Sequence, residues 1–208
     1  MNEISKKALS KHAEFRPLIK KHGLPETPDK TRPFHALVRA IVYQQISGSA
    51  AASILTRFKK LFGGKLPTPQ ALAAMPAERL RTAGISPQKA KYLHDLALHF
   101  SNGSIDEKKL SRMTNEELIT ALTQVKGVGV WTVQMFLLFT LRRPDVLPTL
   151  DLGIKKGFQV VYGLRALPSH ERMEQLARPW RMHASLASWY LWRAADEARL
   201  ASGKKNKS

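Results

Sequence analysis

Apolar positions along this chain recur at helical spacing, and no convincing two-residue alternation of the kind that marks strands interrupts them. In "FHALVRAIVYQQI", Phe34, Leu37, Val38, Ile41, Val42 and Gln45 follow the i, i+3, i+4, i+7 spacing of one helix face. "SGS" breaks that run, and Ser49 is placed to cap a second helix over "AAASILTRFKKLF". Thr68-Pro69 and Ser86-Pro87 each read as an N-cap followed by proline at the first helical position. "TNEE", Thr114 to Glu117, has the spacing of a capping box. Further helices are expected over 130–142, 152–162, 170–178 and 185–199. The joints "GGKLPTP" and "RRPDVLPTLD" read as loops, and there is no internal repeat. The pattern predicts an all-α body of two helical lobes in a single domain spanning 1–208, with a disordered basic tail over 201–208.

One stretch departs from plain amphipathic helix. "LTQVKGVGVWTVQM" reads as a helix to Gln124, a turn "VKGVG", and a strongly apolar helix from Val130. Glycine in such a turn supplies positive φ or leaves out a Cβ that has no room. A tight helix–turn–helix can aim main-chain N–H groups outward at the second helix's N-terminus, which favours phosphate. Lys126 adds a cation. An ordinary helix–helix connection is the competing reading of the same residues.

Charge strengthens the phosphate reading. Lys plus Arg is 34 and Asp plus Glu is 16, a formal net charge of +18, and such an excess attracts polyanions, nucleic acid first among them. A hydrophobic fraction of 43% suffices for a core. No run of 18 or more uncharged apolar residues occurs, and "MNEISKKALSKHAEF" has no apolar secretory core, so an intracellular protein without membrane spans is expected. The absence of cysteine excludes disulfides, thiolate zinc and a cysteine-held iron–sulfur cluster.

Several segments, taken in order, carry a family resemblance. "LTQVKGVGVWT" resembles the helix–hairpin–helix of the DNA glycosylase superfamily, and "RRPDVLPTLDLGIKKGF" its Gly/Pro-rich loop and Asp, placing hairpin and loop at about 114–165. "AIVYQQISGSAAASILTRF", "LPTPQALAAMPAERLRTAGISPQKAKYLHDLA" and "SLASWYLWR" are similar to one branch, the 3-methyladenine DNA glycosylase II (AlkA-like) enzymes, in a short form without an extra N-terminal sheet domain. The resemblance implies a two-lobed helix–hairpin–helix glycosylase fold with the active-site cleft between lobes. It implies a monomer that excises alkylated bases from double-stranded DNA: 3-methyladenine, 7-methylguanine, and ethenoadenine or hypoxanthine.

Residue roles follow from the same match. A carboxylate beside the sugar stabilises oxocarbenium charge and orients water. As a residue alone Asp151 reads first as a plain N-cap, and the resemblance reverses this, because Asp151 falls at the family's catalytic position; Asp145 reads as ordering the loop. Strand-cleaving relatives carry a nucleophilic Lys two residues after the second glycine, where this chain has Trp131, so a monofunctional enzyme is implied. Trp131 and Trp180 resemble the pocket tryptophans, with Tyr43 and Met135 lining the same cleft and holding cationic bases by stacking. Trp189 and Trp192 read as core. Ile46, beside Gln45, falls at the family's wedge, the apolar side chain that fills the gap left by a flipped nucleotide. The phosphate grip falls to Gly127, Gly129 and Thr132, with Lys126 beside them. Carbonyls of Thr123, Val125 and Val128 occupy the positions that hold a structural Na+ or K+ in relatives; no cofactor is otherwise required. "WRMHAS" departs from the family's W-x-P-x-R-S, with Met182 for the proline and Ala184 for the arginine, which puts the placement of Trp180 in doubt. A non-catalytic DNA clamp and a glycosylase for oxidised or mismatched bases remain open beside the alkylation reading.

Overall fold

The computed structural model describes residues 1–26 and 31–205, with side chains as far as 202 at the C-terminal end. Every regular element among them is helical. The chain enters through α1 (Glu3–Leu9) and α2 (Arg16–His22). It continues through α3 (Pro33–Tyr43), α4 (Gly48–Lys60), α5 (Pro69–Ala74), α6 (Ala77–Thr82), α7 (Pro87–Ser101), α8 (Asn115–Leu122) and α9 (Val130–Phe139). It closes with α10 (Leu152–Val161), α11 (His170–Ala177), a 3-10 turn (Arg178–His183) and α12 (Ala184–Lys205). Two compact units result: Met1–Asp29 with Leu137–Ser208, and Lys30–Phe136. No described helix is long and apolar enough to cross a membrane.

Local chemistry sets most helix starts. Side chains of Ser47, Thr68, Ser86, Thr114, Asp151 and Ser169 each accept a main-chain N–H in the first turn of α4, α5, α7, α8, α10 and α11. The Thr114–Glu117 capping box forms in both directions. Ser47, not Ser49, caps α4, because the chain turns helical at Gly48. The buried stripe of α3 is Phe34, Leu37, Val38, Ile41 and Val42. Gln45 falls outside it: α3 stops at Tyr43, and Gln45 is exposed with φ of 57°. Of the expected tail, 201–205 continue α12, with the Ser202 hydroxyl donating to the Ala198 carbonyl, and 206–208 lie outside the described residues.

In the Lys30–Phe136 unit, α7 buries Leu93, Leu96, Ala97 and Phe100, and packs against α3, α5 and α6. The other unit is built on α10 and α12, whose close approach depends on Gly157: a Cβ there would lie 2.3 Å from the Leu191 carbonyl oxygen. Its core gathers Phe15, Phe158, Trp180 and Tyr190. Trp180 meets Phe15 edge-on at 5.4 Å and stacks on Phe158 at 5.9 Å. Its indole N–H donates to the Tyr162 hydroxyl at 3.0 Å, and that hydroxyl donates to Glu14 at 2.9 Å.

Burial raises the Tyr162 phenol well above its ordinary 10.0, with Glu14 adding to the rise against the Trp180 N–H, and burial followed by Glu3 pushes Tyr190 up to about 12. A phenol whose folded pKa exceeds its unfolded value contributes stability below the unfolded pKa, and that stability is lost as pH climbs toward the folded one. Thermal melts should therefore show Tm falling as pH rises past about 10, with no pH dependence from these tyrosines at about pH 7–9, where their contribution is fully present. A flat Tm across the alkaline range would contradict their burial.

Candidate active site and nucleic-acid interface

The segment leading to Asp151 runs from Arg143 to Leu150 and is pinned to the start of α12. The Ser185 hydroxyl donates to the Arg143 carbonyl at 2.5 Å and accepts the Val146 N–H at 3.0 Å; the Ser185 N–H donates to the Pro144 carbonyl. The Arg181 guanidinium donates to the Asp145 carbonyl. Close to the departure at Ala184, a guanidinium three residues earlier thus holds the loop, while Met182 is exposed and His183 faces Ser5. The Asp151 N–H donates to the Pro148 carbonyl, and exposed Leu150 and Leu152 flank the acid.

Asp151 is half-buried at the N-cap of α10. One carboxylate oxygen accepts the Ile154 N–H at 2.9 Å and the Trp192 indole N–H at 2.9 Å. Trp192 lies stacked on Phe139, with centroids 6.0 Å apart and planes at 21°. Gly153 makes this approach possible, since a Cβ there would sit 2.8 Å from the indole. Both donors converge on the carboxylate and fix its orientation. The cap reading of Asp151 is therefore correct, and a cap alone does not account for the indole.

Two sequence expectations about tryptophan are reversed. Trp180 is 1% exposed, enclosed by Phe15 and Phe158 with its N–H spent on Tyr162, so it has no face to offer a ligand and is core of its unit. Trp192, expected as core, touches the candidate acid. Neighbouring positions in the "WYLW" pattern gave no sign of this; the small residue Gly153, two after the acid, was the available signal. Trp131 is 45% exposed near the start of α9, Met135 is half-buried one turn on, and Tyr43 is half-buried at the end of α3.

The hairpin forms between α8 and α9. Gly127 has φ of +80°, and its missing Cβ makes room for the Tyr92 ring, 2.2 Å from where that atom would lie. Gly129 is different: its carbonyl accepts the Val133 N–H, making it the N-cap of α9, and a Cβ would meet nothing within 4 Å. The first-turn N–H groups of a helix have no intrahelical acceptor, and glycine supplies no capping side chain. Thr132 is buried, and the Lys126 side chain is 75% exposed, 3.7 Å from Asp95. Gln45 and Ile46 lie exposed at the break between α3 and α4.

The HhH-GPD superfamily base excision DNA repair profile matches residues 38–182, most of the chain. The chain belongs to the HhH-GPD superfamily. This HhH-GPD protein is 37% identical over 175 residues to DNA-3-methyladenine glycosylase 1 of Schizosaccharomyces pombe, covering 82% of this chain and 75% of that one. It is 33% identical over 181 residues to the alkylbase DNA glycosidase-like protein of the same yeast, covering 84% of each. Its fold matches that of the Schizosaccharomyces pombe 3-methyladenine DNA glycosylase in complex with abasic DNA, with a TM-score of 0.79 at 34% identity over 91% of this chain and 95% of that one. These matches make it an HhH-GPD glycosylase of the AlkA type.

The cation implied by this family would need hard oxygen donors at the hairpin. Thr123 is the C-cap of α8, at the end of a helix where carbonyls lack intrahelical partners and cations are favoured, and the Val125 carbonyl, accepting the Val128 N–H, keeps a second lone pair. The donor set fits Na+ or K+. No cluster of His, Cys, Asp or Glu suited to a metal occurs among the described residues.

The two glycines make a direct comparison. Gly127→Ala should lower unfolding free energy by roughly 2–4 kcal/mol, from left-handed strain plus the clash with Tyr92. Gly129→Ala, which meets no clash but puts a poorer residue at the N-cap, should lower it by no more than about 1 kcal/mol. Urea unfolding monitored by circular dichroism separates them, and equal effects would contradict the assigned roles.

Proposed function

We propose that this protein is a monofunctional DNA glycosylase that flips alkylated bases, 3-methyladenine and 7-methylguanine first, out of duplex DNA and hydrolyses their N-glycosidic bond. The carrying observation is Asp151, a carboxylate held at a helix N-terminus by a main-chain N–H and an indole N–H. A fixed anion there would stabilise positive charge as the C1′–N bond lengthens and its electron pair moves onto the base. A base alkylated at N3 or N7 is cationic and leaves neutral, so it needs no general acid. Water then bonds to C1′ and gives up its proton, with Asp151 placed to orient it, leaving an abasic site.

The remaining residues fit this chemistry. Trp131 replaces the lysine a Schiff-base mechanism would need, and its exposed ring offers a stacking face for a cationic base, worth about 0.5–2 kcal/mol. Ile46 would fill the vacated stack, and the N-terminal amides of α9 beyond Gly129, with Lys126 nearby, would hold a phosphate. The carbonyls of Thr123, Val125 and Val128 would hold Na+ or K+, which adds positive charge behind that phosphate. Trp180 takes no part in the pocket, which leaves Trp131, with Tyr43 and Met135, as its residues.

Methylated duplex DNA is the test. The wild type should release free methylated purine, and Asp151→Asn should cut single-turnover release by at least about a hundredfold while duplex affinity changes less than about threefold. Borohydride should trap no covalent complex. Gly129→Ala should weaken duplex binding while lowering stability by no more than about 1 kcal/mol. Tight binding with no release by the wild type would favour a DNA clamp, and a trapped complex would contradict the water mechanism.

A further inference from the structure

One face of α7 carries Lys89, Tyr92, Asp95 and His99, at i, i+3, i+6 and i+10, all half-buried, alongside the core stripe of Leu93, Leu96 and Phe100. Each of the first three meets a different part of the interface, all within the Lys30–Phe136 unit. The Lys89 ammonium donates to the Val42 and Gln44 carbonyls at 2.7 Å each, closing the C-terminal end of α3 just before Gln45 and Ile46. Tyr92 occupies the space left by the missing Cβ of Gly127. Asp95 accepts the Lys126 N–H at 2.8 Å and pairs with the Lys126 and His99 side chains at 3.7 and 3.6 Å. Gln44 links the two parts directly, its amide donating to the Gly127 carbonyl at 2.8 Å.

The tip so held is strained. Gln45 adopts φ of 57°, a region costly for a residue with a Cβ, and such a conformation persists only where its surroundings enforce it. A cation at a helix C-terminus supplies that enforcement, because α3 ends in carbonyls with no intrahelical donor. Lys89 is committed to this task at a cost: burial lowers its pKa from the ordinary 10.5. A polar cavity of about 310 Å³ lined by Gln44, Gln45, Gln88, Lys89, Tyr92 and Gly127 borders both tip and hairpin, which the Gln44–Gly127 hydrogen bond links directly, so their spacing depends on these polar struts.

We propose that this face of α7 sets the spacing between the Ile46 tip and the hairpin, with Lys89 as the positioning residue for the wedge. The inference rests on the wedge and phosphate roles given under Proposed function. A phosphate gripped at the hairpin then fixes where along the duplex the wedge enters, so binding and flipping share one rigid reference.

A double-mutant cycle tests it. Wedge insertion is read as the fluorescence rise of 2-aminopurine placed beside a tetrahydrofuran abasic analogue in duplex DNA at saturating protein, with Tm measured for every variant. Lys89→Met should lower the rise about fivefold or more in the wild-type background and by less than about 1.5-fold in the Ile46→Ala background, since interacting sites are non-additive. Lys89→Arg, which keeps a cation within reach of both carbonyls, should restore at least half of it. Wild-type fluorescence in Lys89→Met, or an equal loss in both backgrounds, would overturn the proposal, as would no rise with the wild type. A wild type that gives the rise yet releases no base from methylated duplex would contradict the glycosylase reading alone.

Discussion

A single carboxylate oxygen receiving two N–H groups organises the C-terminal half of this protein. Asp151 starts α10 by accepting from Ile154, and the same oxygen accepts from Trp192 on α12. For both to reach it, α10 and α12 must lie closer than side chains normally permit. Gly153 and Gly157, one turn apart, remove the Cβ atoms that would collide with the Trp192 indole and the Leu191 carbonyl. The stack on Phe139 then holds the indole in plane. Chemistry at Asp151 is inseparable from this packing, because the groups that fix the carboxylate also fix the helices.

The segment before Asp151 is held independently. Ser185 serves the Arg143–Val146 stretch through its hydroxyl and its N–H, and Arg181 grips the Asp145 carbonyl. Both come from the region that departs from the family pattern. The departure removes a proline and an arginine at Met182 and Ala184 without removing the anchoring, since the buried Trp180 fixes the 3-10 turn through Tyr162 and Phe158. Exposed Met182 carries none of that burden.

Features settled by a few adjacent residues were legible in the sequence. Thr68-Pro69, Ser86-Pro87 and the Thr114 capping box begin helices where they were expected, because an N-cap needs only its own side chain and the next three N–H groups. Asp151 was legible as a cap for the same reason. Features settled by distant partners were not. Trp180 and Trp192 are chemically alike and sit in similarly apolar surroundings in sequence; Phe15 and Tyr162 enclose one, and Gly153 admits the other to the acid. Helical spacing runs on through Gln45, whereas α3 stops at Tyr43, and the group that binds the carbonyls at its end, Lys89, lies 45 residues on from Gln44. Glycine spacing exposed the hairpin but not the difference between its glycines, which depends on Tyr92.

The most direct test of the account is the rate of base release from methylated duplex by Trp192→Phe under single-turnover conditions. Phenylalanine keeps a ring against Phe139 and removes only the N–H directed at Asp151. A hydrogen bond to a charged group is worth about 1.5–3 kcal/mol, so the account predicts a loss of roughly tenfold or more in rate, with duplex affinity and Tm nearly unchanged. An unaltered rate would contradict the claim that the indole orients the carboxylate.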